Sequence, residues 1–435
     1  MRTLIMTVGT GRDRFDISEA LVFSIDRNRP DRVVFLCSGK TAEQTLPILK
    51  SFIEPKKIAF EHFVVANEDD VQYLYGQYLE ILRKFDPPQE IIVDFTSGTK
   101  AMSAAIFAAG IALQVGQVSY ITGPRDETGR VIKSTHVEVI RPIQVYAEQE
   151  MMRAMNLFNH YEFAAARQLA NAYRNRAEIT PKQQQFAKEF YDLADAFDKW
   201  ERFCWQQAAS GLGKAARAKS ELRRFLDVDA LKDASRFCES VQNEPWSSQR
   251  LYDLAANAKR RYEQGRYDDA LSRLYRAYEY LVQVRLKNQF NIETAKVSRE
   301  QLTELKAPEG YLNSLRFEPR KKGEKPVAKL GLRNAIELLC HLGDQWADAL
   351  KSLYFGEDEY ERAVGRLAKL LDTRNQSWLA HGTTPADGGN VKSLLDELFK
   401  LLERFLTNDQ INDYFKATQF PKLGQNQPLS KKLEL

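Results

Sequence analysis

An open, mostly parallel α/β domain followed by an all-helical half is the architecture that this 435-residue chain predicts. Three observations carry the prediction. Short β-branched runs alternate with amphipathic segments up to about residue 145, the alternation stops after Pro142, and from there to about residue 290 apolar residues recur only at helical spacing.

The strand runs are Thr3–Thr7, Arg32–Leu36, Ile58–Phe63, Glu90–Asp94 and Gln117–Ile121. Short, nearly continuous apolar runs suit parallel strands covered on both faces. The segments between them, near 16–28, 40–53, 69–85 and 98–114, carry helical periodicity, so the sheet is doubly wound. A last run, Lys133 to Val139, follows an Asp126-Glu127-Thr128-Gly129 turn and alternates polar with apolar, which predicts an antiparallel edge strand. After 146 the chain is expected to be helix, interrupted by a basic loop at 306–329 holding Pro308, Gly310, Pro319, Gly323 and Pro326. Helices resume near 330–352, 357–381 and 391–407, with a frayed tail beyond Pro421. The expected domains are 1–145, a helical connector 146–240, and 241–435.

Phe158–Ala166 and Glu263–Leu271 echo one another and resemble helix-hairpin turns of the tetratricopeptide kind. Two copies so far apart do not make a solenoid, which needs about three adjacent repeats.

Composition narrows the function. Sixty-three Lys+Arg against 59 Asp+Glu leave a net charge of +4, so any site for a polyanion is local. The four cysteines (Cys37, Cys204, Cys238, Cys340) form no CxxC pair and no zinc set, which fits reduced thiols in a cytoplasm. No run approaches the roughly 20 apolar residues of a membrane helix, and the start lacks the pattern of a secretory signal.

Ligands of open α/β sheets bind outside the carboxyl ends of the strands. Standing there are Gly9-Thr10-Gly11, Ser38-Gly39-Lys40, Thr96-Ser97-Gly98-Thr99-Lys100 and Gly123-Pro124-Arg125. Glycine lets a phosphate approach the backbone, hydroxyls and helix N-termini donate to it, and lysine supplies charge. Any one such turn is explained by tight βα geometry; four together point to a nucleotide or polyphosphorylated ligand. A dinucleotide fingerprint fails, because Arg14 stands where the third glycine belongs and Ser38-Gly39-Lys40 replaces the acidic ribose ligand expected after strand two; no Walker pattern occurs.

The Asp94-Phe95-Thr96-Ser97-Gly98-Thr99-Lys100 turn opening an Ala-rich helix, with the Val8-Gly9-Thr10-Gly11 start, resembles the CARF domain of CRISPR-associated proteins. The resemblance implies a Rossmann-like homodimer that binds a cyclic oligoadenylate. Cyclic tetra-adenylate is favoured, because its two-fold symmetry and four phosphates suit a two-fold dimer; the hexa-adenylate is also compatible with the family. No cofactor is expected beyond this activator.

In the helical half, Arg374 and His381 stand seven positions apart, about two helical turns, and Gly382 follows as a helix stop. On that reading both side chains leave one helix face, and the dipole at the helix end favours a protonated His381. An arginine on a phosphate beside a proton-moving histidine suffices to cleave RNA through its own 2′-hydroxyl. On spacing alone a surface Arg–His pair is the commoner explanation. Arg374-Asn375 followed by Ala380-His381-Gly382, however, resembles the Arg-x(4–6)-His motif of HEPN ribonucleases, and Tyr267–Leu286 is similar to an early helix of that fold. CARF first and HEPN last is the order of the Csm6 and Csx1 class of effectors, and the whole chain is most similar to the family called Cas02710. The resemblance implies catalytic Arg374, His381 and Asn375, no metal, single-stranded RNA as substrate and a cytoplasmic homodimer in type III CRISPR antiviral defence. The other reading is a ligand-binding regulator or ring nuclease with a non-catalytic helical half.

Weaker candidates have plainer explanations. Arg333-Asn334 with His341 are set among Ile336, Leu338, Leu339 and Cys340, which suggests core packing. His62, His136 and His160 read as structural, Glu279 as a solvated residue able to orient an arginine, and the 316–329 loop as a soluble insertion able to guide phosphates.

Overall fold

A computed structural model of the protein describes residues 1–10, 14–124, 127, 133–176, 179–218, 221–319, 321, 324–356, 365–378 and 382–423. Contacts divide it into two compact units, Met1–Met152 with Tyr173–Gln184, and Arg153–Ala172 with Gln185 onward.

The first unit alternates as expected: β1 (Thr3–Val8), α1 (Arg14–Asn28), β2 (Arg32–Ser38), α2 (Gly39–Gln44), α3 (Leu46–Ile53), β3 (Ala59–Val65), α4 (Val71–Leu82), β4 (Ile91–Asp94), α5 (Lys100–Ala112), β5 (Gln117–Thr122) and β6 (His136–Ile140). The sheet order is β3-β2-β1-β4-β5-β6, parallel but for β6, which pairs antiparallel with β5 from Val118↔Ile140 to Thr122↔His136. Every residue of β1 and β4 is buried, as continuous apolar strands require. The expectation of two covered faces fails for β3, an edge strand exposed along most of its length. One apolar layer packs Leu74, Tyr78, Met102, Ile106 and Ala109 on one face; Leu21, Ile25, Leu46 and Leu49 cover the other. The helix expected over 40–53 is two, because Pro47 at the start of α3 has no amide to continue α2.

The second unit holds the remainder of α6 (Pro142–Asn159), α7 (Phe163–Arg174) and α8 (Pro181–Glu201), then α9 (Trp205–Arg217), α10 (Val228–Asn243), α11 (Ser248–Glu263) and α12 (Tyr267–Phe290). Beyond them come β7 (Val297–Ser298), α13 (Arg299–Glu304), α14 (Glu309–Ser314), β8 (Val327–Ala328), α15 (Leu332–His341), α16 (Ala347–Phe355), α17 (Arg366–Asn375), α18 (Gly388–Phe405) and α19 (Asn408–Thr418). The expected loop at 306–329 therefore carries a helical turn and one strand of a two-stranded ribbon. The helix expected over 330–352 is broken where Gly343 adopts φ of +63° after α15.

Helices read as connector and helices read as catalytic domain share one buried polar network. Asp253 of α11 accepts from the indole N–H of Trp200 and of Trp205, each at 2.8 Å. Burial pushes its carboxyl up to about 6 against the pull of Arg260. Glu201 of α8 pairs with both Arg260 and Arg261, and Arg260 stacks 3.9 Å over Phe420.

The two self-similar hairpin turns meet. Gln264 donates to His160 O and Glu162 Oε1, both at 3.1 Å, and Arg266 donates to both oxygens of Glu162. The segment expected to fray is held here as far as Leu423, whose amide donates to Asn159 Oδ1 at 2.7 Å while Lys422 donates to Asn159 O.

Candidate functional site

Sheet order puts the topological switch between β1 and β4, where connections leave in opposite directions. The turns after these two strands are tied together. The Gly9 amide donates to Ser97 Oγ at 2.7 Å, Thr7 Oγ1 donates to Ser97 O, and Thr45 Oγ1 donates to Gly9 O at 3.1 Å. A Cβ on Gly9 would lie 2.7 Å from the Gly98 amide nitrogen, too close for any other residue. Gly98 itself has φ of +99°, which a side chain rarely tolerates.

The hydroxyls also build the turns themselves. Ser97 Oγ accepts from the Gly9 amide and Thr96 Oγ1 from the Ile121 amide at 2.8 Å, bonds that do not use either hydroxyl's own proton. Thr99 caps α5 by accepting from Met102 at 3.1 Å while donating to Glu68 O at 2.6 Å. Ser38 is buried in a capping box with Thr41. Side-chain oxygens thus build the turns, whereas exposed Gly39, Lys40 and Lys100 at the starts of α2 and α5 present backbone and charge outward. Thr10 is half-buried just beyond β1, and Gly123 lies against the Lys133 carbonyl after β5. Gly11 and Arg125 lie outside the described residues.

Sequence reasoning missed Asp94 as a hub. Fully buried, it accepts from Ser24 of α1, from Ser119 of β5 at 3.1 Å and from the Thr96 amide at 2.9 Å. Burial raises its carboxyl despite those donors. A strand-ending acid two residues before a Thr-Ser-Gly turn was the available signal.

In the helical unit, α17 ends at Asn375, and Gln376 closes it by donating to Asp372 O. The helix therefore stops short of the span that the one-face reading of Arg374 and His381 requires. The chain turns back instead: Ser377 donates through its hydroxyl (2.8 Å) and amide (3.1 Å) to Arg374 O, Gly382 N donates to Ser377 O (3.1 Å), and Thr384 N to Gln376 O (3.1 Å). Gly382 lies so close that a Cβ would overlap Gln376 O. That glycine closes a loop and does not stop a helix. His381 lies outside the described residues; its neighbour Gly382 is held at the end of α17.

Arg374, half-buried, stands 4.8 Å over the ring of Tyr275 on α12 and donates to Asn375 Oδ1 at 3.3 Å. Its Nε is buried without a hydrogen bond. Burial raises the Tyr275 phenol, helped by the charge and hydrogen bond of Glu279, one turn along α12, and opposed by Arg374. Glu279 also pairs with Arg276 at 3.5 Å, so it is a half-buried member of the cluster and not a solvated face. His341, half-buried, packs edge-on to Tyr311 at 5.3 Å and faces Glu337 at 3.7 Å, while Arg333 at the start of the same helix is exposed, so core packing does not describe the pair. His160 Nδ1 lies 2.8 Å from Asn156 O and serves its turn.

An open α/β unit followed in sequence by a helical unit with an arginine–aromatic cluster is the class the fold defines. Residues 243–405 match the family model described as the Csm6 HEPN domain. Csm6 of Enterococcus italicus, solved with cyclic hexa-2′-fluoro-hexa-dAMP, is similar in fold over 96% of this chain and 98% of its own, with a TM-score of 0.55 at 16% identity. Can2 of Sulfobacillus thermosulfidooxidans, solved with cyclic tetra-adenylate, matches at a TM-score of 0.24 and 14% identity over 49% of this chain and 65% of its own. No protein of curated function matches the chain in sequence. The fold is similar to that of Csm6, an α/β domain with a six-stranded sheet followed by a helical half that contains the segment matching the HEPN model. No helix among the described residues is long and apolar enough to cross a membrane.

Proposed function

We infer that the protein is a cytoplasmic, homodimeric, cyclic oligoadenylate-activated endoribonuclease of type III CRISPR defence, cutting single-stranded RNA without a metal. The observation that carries the reading is that Arg374, Asn375 and His381 all fall inside the 243–405 segment matching the Csm6 HEPN domain.

In this mechanism Arg374 binds the scissile phosphate and stabilises the charge that develops on it. As the 2′-oxygen bonds to phosphorus and loses its proton, the bond to the 5′-oxygen breaks and that oxygen is protonated as it leaves, with His381 transferring a proton in the exchange and a 2′,3′-cyclic phosphate remaining. Asn375, hydrogen-bonded to Arg374, holds the guanidinium toward the substrate. The activator lies over the turns at 9–11, 38–40, 96–100 and 123–125. The symmetry argument favours cyclic tetra-adenylate, and the E. italicus protein of similar fold holds a hexa-adenylate analogue, so both rings are assayed.

Fluorescent RNA incubated in EDTA with each ring reports activity, activator and metal need together. Arg374→Ala and His381→Ala are each expected to lose cleavage by at least about a hundred-fold while ring binding stays unchanged. Full cleavage in both variants would refute this assignment; ring binding without cleavage by the parent protein would return the regulator reading.

A further inference from the structure

Between a helix and the sheet it covers, apolar packing is the rule, and α1 departs from it. Ser24 and Asn28, one turn apart on this helix, are 0% and 8% exposed, and they meet Asp94 of β4 and Ser119 of β5, both fully buried. Asn28 Nδ2 donates to Ser24 O at 3.0 Å and to Ser24 Oγ at 3.3 Å, Ser24 Oγ donates to Asp94, and Asp94 accepts from the Thr96 amide at 2.9 Å. At the other end, Gln117 Nε2 donates to Asn28 Oδ1 at 3.3 Å. One unbroken chain of hydrogen bonds thus runs from the turn at the carboxyl end of β4 to the first residue of β5. The next residue, Val118, pairs with Ile140, two positions before α6 begins at Pro142.

Stability does not explain this chain. Each buried polar group gives up its water on folding and recovers only the bonds named, so apolar side chains of similar size would hold the helix about as well. What a fully bonded buried network adds is one permitted arrangement. No water reaches these groups to replace a lost partner, so a displaced Thr96 amide either breaks its bond to Asp94 or takes Ser24 and α1 with it. We propose that Ser24, Asn28 and Gln117 couple the activator turn to the far end of the sheet: a ring seated on the turn slides α1 through Asp94, and the movement reaches β5 beside Ile140, where the chain leaves for α6. Small sliding of one packed helix is a motion that such a link passes on. The proposal rests on the activator reading above and adds how a bound ring is reported.

The test uses full-length protein with Ser24→Ala, Gln117→Leu and the two combined. Each change removes one bond of the chain and lies outside both the turn and the RNA site. Calorimetry should give ring affinity within about 3-fold of the parent, while cleavage at saturating ring falls roughly 5- to 30-fold, as when a coupling residue without ligand contact is altered. The double variant should be no worse than the poorer single one, because a chain already broken has nothing further to lose. In the parent, the ring should alter amide hydrogen exchange in peptides covering 114–122, and this response should vanish in all three variants. Full stimulation in both single variants overturns the proposal, as do losses that add in the double variant or a parent whose 114–122 amides ignore the ring. A joint fall in ring affinity, melting temperature and cleavage also overturns it, since that marks the bonds as support for the turn. A parent that binds the ring and shows the exchange response without cutting RNA refutes the ribonuclease reading alone, and loss of that response in the variants then decides the coupling. A parent that binds no ring refutes both.

Discussion

Arg374 is held by a ring and not by a carboxylate, and this makes Tyr275 a testable support. Phe keeps the π-face under the guanidinium but loses the hydrogen bond to Glu279; Leu removes both. Tyr275→Phe should lower kcat by no more than about 3-fold and Tyr275→Leu by roughly 10-fold or more, a loss of about 1.4 kcal/mol or greater. Equal activity in the two variants would show that the ring does not position the arginine. The residue types of this cluster were legible in sequence; their joining was not. The Arg374–His381 spacing suggested one helix face, but Asn375 and Gln376 end the helix and Gly382 packs on Gln376, a closure visible only once Thr384 is seen to return to the same carbonyl. Tyr275 and Arg374 are 99 positions apart and meet because α12 packs on α17, which no local pattern encodes.

Elements were easier to read than their junctions. The strands of the first unit follow from β-branched runs, and the antiparallel β6 from alternation after a turn. The turns carry a structural duty that no local pattern shows: Ser38, Thr96, Ser97 and Thr99 have hydroxyls suited to a phosphate, and each also bonds a neighbouring amide or carbonyl. The remaining charge at α5 is Lys100, exposed in its first turn. Lys100→Ala should weaken activator binding by about 1–3 kcal/mol, the range for a charge-assisted hydrogen bond, with cleavage recovered at higher ring concentration. Gly98→Ala should act differently, lowering stability as well as affinity, since it forces a side chain into positive φ and to 3.2 Å from Thr7 Cβ. Titration calorimetry and thermal melts separate the two; normal ring binding by Lys100→Ala would move the ligand off this turn.

At the scale of the whole molecule, a cut at the sequence-based boundary near 240 would sever a buried network. Asp253 would lose both indole donors, and Arg260 and Arg261 would lose Glu201, leaving buried charge unpaired. A fragment 241–435 is therefore expected to lack a cooperative melt by circular dichroism, whereas 153–435 should retain one. A cooperative melt of the shorter piece equal to that of the longer would show the network to be dispensable. The cross-tied turns at Gly9 and Ser97 bear on a different matter, the thermodynamics of capture. A floor already fastened by hydrogen bonds between β1 and β4 has little conformational freedom left to surrender, so an anion arriving there loses mostly its own mobility. Capture should accordingly be quick and enthalpy-led, with a heat-capacity change too small for coupled folding, and the slow step of signalling should come after the ring is seated.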